Sequence, residues 1–235
     1  MKRIVLVLNG KGGVGKSFFA VNLVQYLKDS GVPHVAFDTD NENSTLKRFH
    51  PEASFVDLAQ SRQLDAIFDV RKTSDLTVVD CRAASSDLFL DYFREVEIGS
   101  VLAELGTRLT VAIPINHDAD SVDQVQRITD SLGGMSQYLV VRNAAHSASF
   151  ALYESLAVRA RLLTEWGARE IELPRLQDWL VEALNGDNLT ITRALTHPAL
   201  SLLDRQRMRG WQRRFYASLE EERDLIVPGK GEDHG

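Results

Sequence analysis

Short apolar runs separated by amphipathic stretches organise this chain. Ile4 to Leu8, Val35 to Phe37, Leu76 to Val79, Leu109 to Ile115 and Tyr138 to Val141 are nearly continuous and rich in β-branched residues, the pattern of strands covered on both faces. Between them, Ala20, Leu23, Val24 and Leu27, and later Val122, Val125, Ile128 and Leu132, recur at helical spacing. This alternation predicts an α/β fold, a mostly parallel sheet sandwiched between helices, with ligands at the carboxyl ends of the strands. Glu170 to Leu173 adds a strand before Pro174, and from Arg175 onward the pattern is helical, with breaks near Asn185-Gly186 and His197-Pro198. No linker composition divides the chain, so residues 1–227 are expected to form one domain. The last eight residues, from Pro228, read as a disordered tail.

Composition narrows the setting. With 235 residues, 44% of them hydrophobic and 26% charged, the chain has the make-up of a soluble globular protein with a substantial core. The formal net charge of −6 means that any nucleic-acid binding has to come from a local basic patch. A single cysteine excludes an internal disulfide and fits a reducing, cytoplasmic setting. No charged-then-apolar leader and no apolar stretch near membrane-spanning length is present, so neither secretion nor a membrane span is expected.

Directly after the first strand stands Gly10-Lys-Gly-Gly-Val-Gly-Lys-Ser17. Its spacing fits a phosphate-binding loop of the GxxxxGK[ST] type. Gly10, Gly12, Gly13 and Gly15 allow successive backbone N–H groups, with that of Val14, to turn toward one concavity. The helix that begins near Ser17 adds the positive end of its dipole. Lys16 is placed to reach the outer phosphates, and the Ser17 hydroxyl is the expected protein ligand for Mg²⁺. The second strand runs into Asp38-Thr39-Asp40 and the next ends in Asp80. Carboxylates at strand ends beside such a loop orient metal-bound and attacking waters, which is most of what phosphoryl transfer requires.

Lys11 is an additional cation in the first half of the loop, and a loop wrapped around one polyphosphate leaves it pointing outward. The string resembles the deviant Walker A loop, xKGGxxK[ST], of the ParA/MinD family of ATPases, which have a P-loop NTPase fold. The resemblance implies ATP as ligand, Mg²⁺ as cofactor and a homodimer that closes on ATP, with Lys11 crossing to the partner's nucleotide. It places Asp38 and Asp40 on the family's DxD motif, Asp38 at the metal and Asp40 at the attacking water, and Asp80 on the Walker B aspartate that acts on Mg²⁺. Asn143, at the end of the fifth long strand, matches an asparagine that hydrogen-bonds adenine, and Pro174 a segment that packs on the base. No guanine-reading Asn-Lys-x-Asp is present, which favours ATP over GTP.

Two departures from the family pattern stand out. Asn41-Glu42-Asn43-Ser44 follows the DxD where relatives carry Pro-Gln-Gly-Asn, and Cys81-Arg82-Ala83-Ala84 follows Asp80 where they carry Thr or Cys and then prolines. Arg82 therefore falls near the phosphates, as a phosphate or partner contact or as a surface ion pair. Cys81 reads as a small residue packed at a strand end.

Met208, Trp211, Phe215 and Leu219 share one face of a C-terminal helix, with Arg205, Arg209 and Arg213 on one flank and Arg207 and Arg214 on the other. Two readings fit: a helix docked on the core with arginine stems over its edges, or a basic surface that meets DNA without sequence preference once dimerisation doubles it. The resemblance as a whole implies a dimerisation switch with weak, partner-stimulated ATP hydrolysis, of the type found in plasmid partition, mobilisation and conjugal transfer. An ATP-dependent ligase-like enzyme and an inactive nucleotide-binding adaptor remain as other classes. An iron-sulfur reductase component does not, since it requires paired cysteines.

Overall fold

The computed structural model describes residues 2–69 and 74–229. Seven strands form the sheet: β1 (Lys2–Val7), β2 (Val35–Asp38), β3 (Ser54–Phe55), β4 (Leu76–Asp80), β5 (Thr107–Ile115), β6 (Gln137–Asn143) and β7 (Arg169–Leu173). Their order is β3-β2-β4-β1-β5-β6-β7, and every pairing is parallel. Parallel neighbours need crossovers, and helices supply them. These are α1 (Lys16–Asp29), α2 (Thr45–Phe49), α3 (Ser61–Phe68), α4 (Ser86–Glu95), α5 (Ile98–Glu104), α6 (Ala119–Leu132), α7 (Ala151–Ser155) and α8 (Ala157–Glu165). After β7 follow α9 (Asp178–Gly186), α10 (Ile191–Ala194), α11 (Leu202–Glu221) and α12 (Arg223–Ile226).

The strands are apolar on both faces because both are covered. Ile4, Leu6, Val79, Val111, Ile113, Tyr138 and Val140 face one core, with Phe89 and Phe93 of α4, Val125 and Ile128 of α6, and Leu162 of α8. Val5, Val7, Val78, Ala112, Leu139 and Val141 face the other, with Phe19, Leu23 and Leu27 of α1, Leu180 of α9, and Trp211 and Phe215 of α11. The six expected strands and the helical C-terminal segment are all present. The short edge strand β3 escaped the sequence because both of its residues are exposed and carry no apolar alternation. Lys230 to Gly235, most of the expected tail, lie outside the described residues.

The C-terminal helix docks as its apolar face requires. Met208, Trp211, Phe215 and Leu219 are all but inaccessible, and the Trp211 indole N–H donates to the Pro174 carbonyl at 2.7 Å. Arg3, an unexpected interior cation on β1, completes the attachment: its Nη1 donates to Thr110 Oγ1 at 2.6 Å, Gln137 Oε1 at 2.8 Å and the Leu225 carbonyl at 3.1 Å. Burial lowers its guanidinium to about 10, and the nearby Arg108 adds to the effect. No helix among the described residues is long and apolar enough to cross a membrane.

Candidate nucleotide site

Strand order brings three motifs together that lie far apart in sequence. Because β4 sits between β1 and β2, Asp80 pairs in register with Val7 on one side and Asp38 on the other. The phosphate loop, the Asp38-Thr39-Asp40 turn and Asp80 therefore share one end of the sheet, where parallel strands of this type bind ligands. Thr39 fastens the two acidic strand ends: its backbone N–H and Oγ1 both donate to the Asp80 carbonyl at 3.1 Å.

The loop is held in shape by residues outside the glycine motif. Asn9 is fully buried; its side-chain Nδ2 donates to the carbonyls of Pro114 and Ser121 at 2.8 and 3.0 Å, and its Oδ1 accepts from the Lys11 N–H at 2.9 Å. Gln124 of α6 closes over Gly10, so tightly that a Cβ there would lie 2.5 Å from Gln124 Oε1. Gly15 has φ +93°, a backbone that L side chains rarely adopt, and a Cβ on it would meet Asn143 Nδ2 at 2.4 Å. Asn9 and Gln124 gave no sequence signal, since a lone amide outside the motif resembles any turn or helix residue.

Lys16 opens α1 and is largely buried; its Nζ donates back to the Lys11 carbonyl at 2.7 Å. Burial lowers its ammonium, against the pull of Asp80. Lys11 lies at the rim, where its Nζ is 2.8 Å from Asp120 Oδ2 on α6, so it is paired within its own chain rather than free in solvent. That hydrogen bond and charge raise its ammonium.

Asp80 is the most exacting residue of the site. Both carboxylate oxygens are shut away from solvent, without a hydrogen-bond partner among the described residues. The Ser17 hydroxyl faces them without reaching hydrogen-bond geometry. Burial, reinforced by the Asp38 charge, pushes the Asp80 carboxyl up to about 7. A buried carboxylate of this kind is costly unless a cation compensates it, so Asp80 with the Ser17 hydroxyl beside it fits a hard divalent ion held by few protein oxygens.

Asp38, expected at the metal, spends its oxygens locally. Oδ1 accepts from the Asp40 N–H at 2.9 Å and Oδ2 from the Lys47 N–H at 3.0 Å, so in this conformation it orders the turn into α2. Burial nonetheless raises its carboxyl, partly offset by these two bonds. Asp40 reaches the site mouth and accepts from Glu42 N, Asn43 N and Asn43 Nδ2. Burial pushes its carboxyl up, but those bonds and the Arg82 charge outweigh it and hold it below the usual range. Cys81 is fully buried and its thiol is raised well above its ordinary value by burial and the neighbouring Asp80, which makes it inert packing.

Beyond Gly13 and Gly15 lies a cavity of about 430 Å³ between α1, α9 and α10. Asn143 and Pro174, the two residues expected at the base, line its mouth, and Phe18, Val21, Leu184 and Ile191 form its apolar wall. The Asn143 amide is turned onto the loop, with Nδ2 donating to the Val14 carbonyl at 3.0 Å and Oδ1 accepting from Ala145 N–H at 3.0 Å.

Comparison with known proteins bears on the fold and the family. The chain is 25% identical to Protein MobD of Acidithiobacillus ferrooxidans, over 93% of this chain and 97% of that one. It is likewise 25% identical to Protein TraL of Escherichia coli, over 94% and 98%. Among solved structures it resembles the MinC:MinD cell division protein complex of Aquifex aeolicus, with a TM-score of 0.56 at 14% identity over 98% and 99% of the two chains, a likeness of fold. Residues 5–215, most of the chain, match the CobQ/CobB/MinD/ParA nucleotide binding domain, and the protein belongs to that family.

Proposed function

We propose that this protein is an ATP-dependent dimerisation switch with slow, partner-stimulated ATP hydrolysis, serving the partition, mobilisation or positioning of DNA or another macromolecular complex in the cytoplasm. Residues 1–227 act as the single working unit. The observation that carries the reading is the pairing of a complete phosphate loop with Asp80, a buried carboxylate without a hydrogen-bond partner among the described residues. The relatives named MobD and TraL support the choice of a macromolecular cargo over a small metabolite.

In this reading the backbone N–H groups of residues 12–17 hold the phosphates, and Lys16 Nζ exchanges the Lys11 carbonyl for a phosphate oxygen. Ser17 and Asp80 would hold Mg²⁺, which supplies charge neutralisation on the outer phosphates. Asp40, kept ionised and half-buried at the mouth, orients the attacking water. Asn143 and Pro174 take the adenine side of the cavity. Lys11 leaves Asp120 and reaches the nucleotide of a second subunit; an exposed ion pair is weak, so its loss is a small obstacle to closure. DNA and an activating protein are the partners that fit such a switch.

Light scattering with ATP and Mg²⁺ tests this. Wild type is expected to dimerise, Lys11→Ala to bind one ATP per monomer yet stay monomeric, and Asp40→Ala to form dimers that persist because hydrolysis no longer reopens them. Dimerisation of Lys11→Ala at the wild-type nucleotide concentration would overturn the role of Lys11 in closure, and wild-type protein that stays monomeric with ATP and Mg²⁺ would overturn the switch and leave a ligase-like enzyme as the better account.

A further inference from the structure

Arg82 is placed by the fold, and its side chain acts on Asp40 and Asp57 through charge alone, with no hydrogen bond among the described residues. Its backbone N–H donates to Thr39 Oγ1 at 2.9 Å and its carbonyl accepts from Ser85 Oγ at 2.7 Å, so the residue is pinned to the strand ends that carry Asp38 and Asp80. The following residues lie against the phosphate loop: Ala83 Cβ is 3.7 Å from where a Cβ of Gly12 would stand, and the Ala84 N–H donates to the Gly10 carbonyl at 2.9 Å. Ala84 has φ +56°, the left-handed turn that folds this segment onto the loop.

The side chain itself makes no hydrogen bond or ion pair among the described residues, and its Nε is shut away from solvent. The two carboxylates nearest to its charge, Asp40 and Asp57, are already engaged by their own turns. A buried donor left without an acceptor is costly and calls for an explanation. A guanidinium is a planar fork matched to phosphate oxygens. Lys16 is the loop cation whose charge meets the Asp40 and Asp80 carboxylates. The Arg82 charge reaches Asp40 at the site mouth, on a backbone pinned one residue before the Ala83 contact with Gly12, where it would add to Lys16 in balancing a terminal phosphate within one subunit.

We propose that Arg82 reads the terminal phosphate of bound ATP, donating from its guanidinium to an oxygen of that phosphate in the same subunit. The proposal rests on the nucleotide-switch reading above. It makes Arg82 a sensor that separates triphosphate from diphosphate, and it accounts for an arginine at this position without the partner chain.

Calorimetric titration of the Mg²⁺ complexes of ADP and of a non-hydrolysable β,γ-imido ATP analogue, on wild type, Arg82→Ala and Arg82→Lys, tests it without reference to turnover. Arg82→Ala is expected to weaken the analogue by about 10-fold or more while ADP stays within about twofold, the scale of one lost charge-assisted hydrogen bond. Arg82→Lys should recover part of the loss, as a point charge without the fork. Thermal melting of each variant without nucleotide reports whether the segment still folds. Unchanged affinity for both nucleotides in Arg82→Ala, or an equal loss for both, overturns the proposal; so does wild-type protein that binds neither. Wild-type protein that discriminates the nucleotides through Arg82 but never hydrolyses ATP would sink the switch and leave the sensor standing.

Discussion

Replacing Asp80 by Asn should make the nucleotide-free protein more stable while disabling it. The carboxyl is raised by burial, and then by Asp38, from 3.8 to about 7. In the unfolded chain the same group ionises near its ordinary value. Between these two values the folded state holds a proton that the unfolded state has lost, so stability falls as pH rises from about 4 to about 7 and the full cost is present above that. At about 1.4 kcal/mol per pH unit the displacement corresponds to ~4 kcal/mol. A buried Asn amide brings its own desolvation cost of roughly 1–3 kcal/mol, which leaves a net gain for Asp80→Asn of about 1–3 kcal/mol at pH 8. For a chain of this length that is a rise in Tm of roughly 2–12 °C. At pH 5 the wild-type group is mostly protonated and the gain should shrink to under about 1 kcal/mol. Thermal and urea unfolding at pH 5 and 8, without nucleotide or divalent metal, measures both arms. Adding ATP with Mg²⁺ should then stabilise wild type and leave Asp80→Asn unmoved. A variant that melts at or below wild type at pH 8 would refute the claim that Asp80 is an uncompensated buried carboxylate.

Gly15→Ala should cost about 2 kcal/mol or more and abolish nucleotide binding, because the new Cβ sits at φ +93° and 2.4 Å from Asn143 Nδ2; near-wild-type melting with intact ATP binding would contradict the loop geometry. His50 is fully buried, with Nε2 on the Val21 carbonyl at 2.9 Å, and burial lowers its imidazole to about 4. The unfolded chain takes up this proton first as pH falls, so up to about 3 kcal/mol of stability, fully present above pH 6.5, is expected to be lost between there and pH 4; the pH slope of unfolding should flatten in His50→Gln. Arg209, Arg213 and Arg214 stay exposed on the docked α11, with Arg205 half-buried, so ATP-bound protein is expected to bind DNA with a steep salt dependence. Replacing Arg205, Arg209 and Arg213 together should weaken retention on a duplex and leave ATP hydrolysis intact, and no retention at low salt would confine α11 to its packing role.

The elements of this protein were legible in its sequence because their signals are local. Strands apolar on both faces read as continuous runs, α1 and α6 as 3.6-residue periods, and the phosphate loop as a fixed spacing in one stretch of eight residues. The face of α11 was equally plain, and its burial follows from four large apolar side chains at helical spacing. Tertiary structure alone decided what those elements bring together. Parallel pairing through helical crossovers put Asp80 in register with Asp38 and beside the loop, so three local motifs became one site. It also set the environment of each carboxylate: the sequence offered Asp38 and Asp80 on equal terms, yet backbone N–H groups satisfy the first and no hydrogen bond among the described residues satisfies the second. Asn9 and Gln124 act on the loop, and Asp120 on Lys11, through contacts more than a hundred residues apart in sequence. A composition or a period carries no trace of such contacts, because they exist only once the sheet has ordered its strands.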